Sequence, residues 1–286
     1  RAAGTVMLAF AFGQIVGLLR RVLVAQAFGA GAELDAFIAA NRVSETLFNL
    51  VAGGALGSAF IPTFTGFLAR DDKKSAWKLA SAVANWVTLV LSLLAALGAV
   101  FALQIVRHAL APGFSANPAQ FALTVTLLRI QLASAILFGL SGLVMGILNS
   151  HQVFLIPALT PSMYQLGMIF GVLVLTPKMG IYGLAWGVVI GALFHLLLQI
   201  PALIKLIQPP AHTGGMRGAY SLTLGFGDAA VGEVIRLMGP RLLGVAVVQL
   251  NFWVNTWLAS RMAPGSVAGI EYGFALMLMA QIAIAQ

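Results

Sequence analysis

From residue 79 to residue 106 the chain carries no charged side chain. A helix needs about 20 apolar residues to cross the hydrocarbon core of a bilayer, so this run is long enough to span with residues to spare. Backbone polar groups in lipid have to be satisfied internally, which leaves helices and closed barrels as the spanning structures. Barrel strands alternate polar and apolar positions over about ten residues. An unbroken apolar run does not, and it therefore reads as a helix.

The same signal recurs along the chain. Span one covers 2–28, with Arg20 and Arg21 inside it, and the turn Gly29-Ala30-Gly31-Ala32 follows. Span two covers 35–67, with Arg42 and Glu45 inside it and a weak point at Gly53-Gly54. Span three is 79–106, and Ala111-Pro112-Gly113-Phe114 starts a turn. Span four covers 121–148 and carries Arg129, span five covers 154–175 among Pro157, Pro161 and Pro177, and span six covers 182–204. A polar connection, 208–229, holds Pro209-Pro210 and Gly214-Gly215. Span seven is 232–258, with a kink expected at Gly239-Pro240 because proline removes a helical hydrogen bond. Span eight starts near 267. The fold class is all-α, a polytopic transmembrane helical bundle. The first and last residues both lie in apolar runs, and the expectation is a piece of a longer chain.

Composition excludes the alternatives. Only 8% of the residues are charged, against about 25% in a soluble domain. Cysteine is absent, which removes disulfides, thiolate metal sites and thiol nucleophiles. The excess of 16 basic over 8 acidic residues lacks the aromatic-rich basic face that nucleic acid requires. It follows the positive-inside pattern instead. Arg70, Lys73, Lys74 and Lys78 lie between spans two and three, and Lys205, Arg217 and Arg236 lie around the connection between six and seven. The opposite side has Arg107, Lys178, Arg261 and the acidic Glu33. The N-terminus is therefore expected in the cytoplasm. The pattern contains no phosphate-binding glycine loop, no metal-ligand spacing and no nucleophile triad, so no cofactor, metal or catalytic residue is expected.

Charge inside a span is costly and marks function by default. Arg20, Arg21, Arg42, Arg129 and Arg241 qualify, with Asp35 and Glu45. A net positive interior suits a phosphate-bearing substrate, because the arginine fork binds two oxygens and stays charged when desolvated. Structural readings stand beside this one. Arg20 and Arg21 can snorkel to an interface, and Arg129 and Arg241 fit interfaces too. Arg42 and Glu45, three apart, can form an internal ion pair. Asp35 can cap span two. Asn251 and Asn255 share a face of span seven and can act as interhelical glue, with Gln249 on another face. His195 reads as a packed core residue. Gly139, Gly142 and Gly146 in span four, and Gly180, Gly183, Gly187 and Gly191 near span six, permit close helix contact. A short internal repeat pairs Ala25-x-x-Phe28-x-x-Gly31 with Ala259-x-x-Met262-x-x-Gly265, making spans one and seven counterparts, as in two-lobed transporters.

Ordered motifs carry a family resemblance. They include Gly17-Leu18-x-Arg20, Phe28-Gly29-Ala30-Gly31 with Asp35-Ala36-Phe37, Gly54-Ala55-x-x-Ser58-Ala59-Phe60-x-Pro62, Ala111-Pro112-Gly113-Phe114, Gly146-Ile147-Leu148-Asn149, Leu184-Ala185-Trp186, Met238-Gly239-Pro240, Asn255-Thr256 and Gly265-Ser266-Val267. With these the chain resembles the N-terminal half of the MurJ/MviN family of lipid II flippases, in the multidrug/oligosaccharidyl-lipid/polysaccharide exporter superfamily. The resemblance implies a first six-helix lobe (1–206), a cytoplasmic linker (207–229) and the first two helices of a second lobe (230–286). It implies a bacterial cytoplasmic-membrane flippase that moves lipid II, an undecaprenyl-pyrophosphate-linked glycopeptide, by alternating access, with membrane lipids as its other partners. The alternative is a same-fold exporter of another polyprenyl-linked glycan or amphipathic compound. The expected substrate-binding set is Arg20, Arg21, Asp35, Arg42, Gln249 and Asn255, with Asp35 pairing a cation when substrate is absent. The family's other cavity arginine positions correspond here to Gln14, Phe48 and Ala275, a family acid on helix eight to Leu278 and one on helix two to Gly53.

Overall fold

The structure, a computed structural model, describes residues 2–50, 57, 59–207 and 220–285. Its described elements are helices and turns. They run α1 (Ala2–Phe28), α2 (Ala32–Phe48), α3 (Ile61–Ala69), α4 (Lys73–Val100), α5 (Ala102–Gln104), α6 (Pro118–Ser150), α7 (Leu155–Phe170), α8 (Thr176–Met179), α9 (Ile181–Leu197), α10 (Ile200–Ile207), α11 (Ala229–Ala259) and α12 (Ser266–Ala285). Among the described residues, five stretches are long and apolar enough to cross a membrane: Gly4–Phe28, Lys73–Val100, Pro118–Ser150, Leu155–Met179 and Ile181–Ile207.

Helix ends follow local chemistry. Asp72 caps α4 by accepting from the Ser75 amide at 3.0 Å. Asn117 caps α6, accepting from Ala119 and Gln120, and Pro118 fills the first position, where no amide hydrogen is needed. Asp228 caps α11 through the Ala230 amide at 3.1 Å.

Helix α6 is the axis of the bundle. Within its most apolar stretch 67% is buried, against 11% for α1, which leaves α1 at the outside of the described bundle. Helices α2, α4 and α9 pack on α6, while α7 joins α9 to α1. The α7–α9 seam is made of glycine. A Cβ at Gly171 would stand 2.7 Å from both the Gly183 carbonyl oxygen and the Gly187 Cα, and one at Gly191 would stand 2.6 Å from the Tyr164 carbonyl oxygen. The glycine spacing in span six thus does what its pattern predicts: it brings backbone against backbone.

The apolar core forms two clusters. One joins α2, α6 and α9 to the α11–α12 turn through Leu34, Phe37, Leu127, Leu128, Leu184, Ala259 and Ala268. The other joins α3, α4 and α6 to the start of α11 through Phe60, Phe64, Leu79, Val83, Leu91, Val231 and Val234. Helix α11 therefore contacts the α1–α10 bundle at both its ends.

Several sequence expectations change. Span two is helical in its described parts: α2 to Phe48, π turns at 49–50 and 59–60, and α3 from Ile61. The weak point at Gly53-Gly54 and the acid position at Gly53 lie outside the described residues. Span six is divided at Leu198-Gln199 into α9 and α10. The connection's Pro209-Pro210, Gly214-Gly215 and Arg217 lie outside the described residues. Residues 220–228 run along α4, where Asn85 Nδ2 donates to the Thr223 carbonyl at 2.7 Å and Trp86 Nε1 to the Leu224 carbonyl at 2.9 Å. Lys78 pairs with Asp228 at 2.9 Å. Pro240 lies inside α11, where it removes one helical hydrogen bond.

Candidate functional site

Arg42 is the hub of the polar interior. Helix α2 is buried on every side from Leu34 to Ser44 save at Ile38, so Arg42 lies in the interior of the bundle. The Arg42 side chain is 11% exposed. Its Nη1 donates to Glu45 at 3.2 Å, and its Nη2 donates to Glu271 of α12 at 2.9 Å. The guanidinium lies over the Phe252 ring of α11, 5.1 Å from the centroid. Asn41 Nδ2 donates to the other Glu45 oxygen at 2.7 Å.

Three hollows meet at this hub. The largest encloses ≈ 390 Å³ and is lined by polar groups of α2, α6, α7, α9, α11 and α12, among them Asn41, Arg42, Glu45, Ser134, Gln165, His195, Gln249 and Glu271. A hollow of ≈ 80 Å³ adds Arg20, Arg21, Met168, Tyr272 and Ala275. One of ≈ 40 Å³ adds Asn255 and Thr256. Arg42 and Glu271 line all three. The hollow that collects Arg20, Arg21 and Arg42 contains only Glu45 and Glu271 as acids, so a positive charge is left over. In a water-poor setting that surplus attracts anions far more strongly than it would in bulk water.

The predicted residues separate as follows. Arg20, Arg21 and Arg42 come together. Arg20 Nη1 approaches the Met168 sulfur at 3.3 Å, while its buried Nε has no acceptor among the described residues. Gln249 is buried on the wall of the large cavity. Asn255 hydrogen-bonds Asn251 at 3.2 Å on one helix face, as their spacing implies, and lines the smallest hollow. The internal Arg42–Glu45 pair is present, with a third member from α12. Asp35 does not sit beside a cation and does not cap its own helix. Its carboxylate accepts from the Gly265 amide at 2.6 Å and the Ala268 amide at 2.8 Å, capping the start of α12. An acid there answers the partial positive charge of a helix N-terminus, but of the neighbouring helix pair. Gly265 adopts φ +93, and a Cβ on it would overlap the Ala30 carbonyl oxygen, so the two turns of the internal repeat touch each other. Arg129 donates from Nε to the Ala99 carbonyl at 3.0 Å on an exposed face, and Arg241 is exposed.

Sequence reasoning missed Glu271 as the second anion on Arg42, 229 residues away. It also took His195 as an isolated core residue. The imidazole Nδ1 lies 2.6 Å from Ser141 Oγ, and Gln199 Nε2 donates both to that hydroxyl at 2.5 Å and to the His195 carbonyl at 3.0 Å. The i, i+4 spacing of His195 and Gln199 was the available signal.

A family model described as lipid II flippase MurJ matches residues 24–285. The chain belongs to the MurJ family. The Burkholderia cenocepacia lipid II flippase MurJ is 32% identical over 92% of this chain and 50% of its own length. A probable lipid II flippase MurJ from Buchnera aphidicola is 30% identical over 91% of the chain and 49% of its own. The chain thus spans about half the length of these MurJ relatives. A solved structure of lipid II flippase MurJ in an inward closed conformation aligns at TM-score 0.77 and 27% identity, over 96% of this chain and 54% of that one. An inward-facing MATE-family transporter of the MOP superfamily shares the fold at TM-score 0.67 and 15% identity, over 98% and 63%. Within this MurJ fold, Phe48 packs on Phe138 with ring centroids 4.8 Å apart, a hydrophobic wall where the resemblance leads one to expect an arginine. Ala275 lines a hollow with Arg42, the arginine that α2 supplies there.

Proposed function

We propose that this chain takes part in flipping lipid II, an undecaprenyl-pyrophosphate-linked glycopeptide, across the bacterial cytoplasmic membrane, with its N-terminus in the cytoplasm. Residues 1–206 form a first lobe, 207–229 a cytoplasmic linker and 230–286 the start of a second lobe. The carrying observation is the Arg42 guanidinium, 11% exposed and held between α2 and α12 beside Arg20 and Arg21. A desolvated cluster of guanidinium groups replaces water around a pyrophosphate through charge-assisted, two-toothed hydrogen bonds. Gln249 and Asn255 supply neutral hydrogen bonds from α11. The cluster's position between the α1–α10 bundle and the α11–α12 pair suits alternating access, in which one lobe rocks against the other around a site at mid-membrane. The lysine-rich segment at Lys73, Lys74 and Lys78 supports the orientation. No bond in the cargo needs to break, so the activity is transport and not chemical catalysis.

The test is leaflet accessibility of labelled lipid II in vesicles holding the full chain. Arg42→Ala and Arg20→Ala are each expected to slow translocation at least tenfold while reconstitution is unchanged. Translocation at the parental rate in both variants refutes the site. Movement of another polyprenyl-linked glycan without movement of lipid II refutes the substrate.

A further inference from the structure

Resting on that reading, we propose that Glu271 is an internal competitor for the phosphate site, setting a charge threshold that diphosphate head groups pass and singly charged phosphodiesters do not. Both outer nitrogens of the Arg42 fork are already taken, Nη1 by Glu45 and Nη2 by Glu271. A phosphate that is to take the Nη1–Nη2 face of this fork competes with these carboxylates, while the buried Nε has no acceptor among the described residues.

The two carboxylates are not equally held. Glu45 sits one helical turn from Arg42 on the same helix, and its second oxygen accepts from Asn41 at 2.7 Å. Glu271 reaches across from α12, and among the described residues its carboxylate accepts from Arg42 alone. The two side chains are equally exposed, 44% for Glu45 and 43% for Glu271, so the bond from Asn41 and the shared helix are what set them apart. Glu271 is therefore the group that leaves.

Exchange sets the selectivity. A phosphodiester carries one negative charge, as the departing carboxylate does, so swapping them gains little Coulomb energy and still costs desolvation. A diphosphate carries more charge and more acceptor oxygens, and Arg20 and Arg21 stand in the same hollow to receive them. Bilayer phosphodiester lipids are abundant and diphosphate lipids are not. An occupied fork keeps the first from blocking the second.

The experiment measures equilibrium binding to the purified full chain in detergent, using farnesyl diphosphate and dioctanoyl phosphatidylglycerol as probes. The parent is expected to prefer the diphosphate at least tenfold. Glu271→Gln is expected to tighten phosphatidylglycerol binding about tenfold, and diphosphate binding less, so the preference narrows several-fold. A preference that stays within twofold of the parent's in Glu271→Gln overturns the proposal while leaving the flippase reading intact. A parent that binds no diphosphate overturns both. If Glu271→Gln is recovered unfolded, Glu271→Asp keeps the charge but shortens its reach, and it has to narrow the preference part-way. An unchanged preference there overturns the proposal equally.

Discussion

Replacing Asp35 by alanine tests how the two parts of the molecule are held together at the repeat turns. Asp35 is 1% exposed and accepts from two amides at the start of α12, at 2.6 and 2.8 Å. Alanine leaves both amides without an acceptor. A buried polar group stripped of its partner costs about 1–3 kcal/mol, so the pair together costs about 2–6 kcal/mol. Water entering a widened seam recovers part of this, which makes about 2 kcal/mol the working figure. That is close to a 30-fold shift in the ratio of separated to joined turns, enough to raise a minor state from about 1% to about 20%. The chain has no cysteine, so spin labels placed at Glu33→Cys and Met262→Cys report this distance alone. Both positions are exposed and flank the two turns. Pulsed electron resonance should show a second, longer distance in Asp35→Ala, and a smaller one in Asp35→Asn, whose amide keeps one acceptor oxygen. A distribution in Asp35→Ala that superimposes on the parent's refutes the clamp.

Further outcomes follow from other contacts. Gly265→Ala forces a Cβ against the Ala30 carbonyl at a positive φ, so it should lengthen the same spin-label distance, and an unchanged distance counts against the turn-to-turn contact. Gly113→Ala places a Cβ on the Ser260 carbonyl and disturbs the 3.2 Å bond from the Gly113 amide to Ser260 Oγ; it should lower thermal stability in detergent by several degrees. Lys78 and the amide at the start of α11 hold the Asp228 carboxyl below the usual carboxylate range. A depressed acid lends stability above its unfolded pKa of about 4 and loses it as pH falls through the lower folded value. Amide exchange over 220–235, corrected for intrinsic rates, should therefore accelerate only below about pH 4. Lys78→Ala should speed this exchange already at neutral pH and flatten its acid dependence, and a pH profile that superimposes on the parent's removes Lys78 from the linker's attachment.

How legible this was in the sequence depended on distance along the chain. Arg42 and Glu45 are three residues apart, so helical geometry alone brought them together. The glycine row of α9 likewise announced close packing. The pairing of Arg42 with Glu271 and of Asp35 with Gly265 joins residues about 230 apart, and no local pattern encodes it. The internal repeat was the nearest clue, since its two turns are the ones that meet.

The glycine seam between α7 and α9 carries a mechanical consequence. With peptide planes pressed together at Gly167, Gly171, Gly187 and Gly191, neither rod can roll on the other without collision. The pair acts as a stiff plank along its length, so bending of the bundle is confined to places where side chains keep the rods apart.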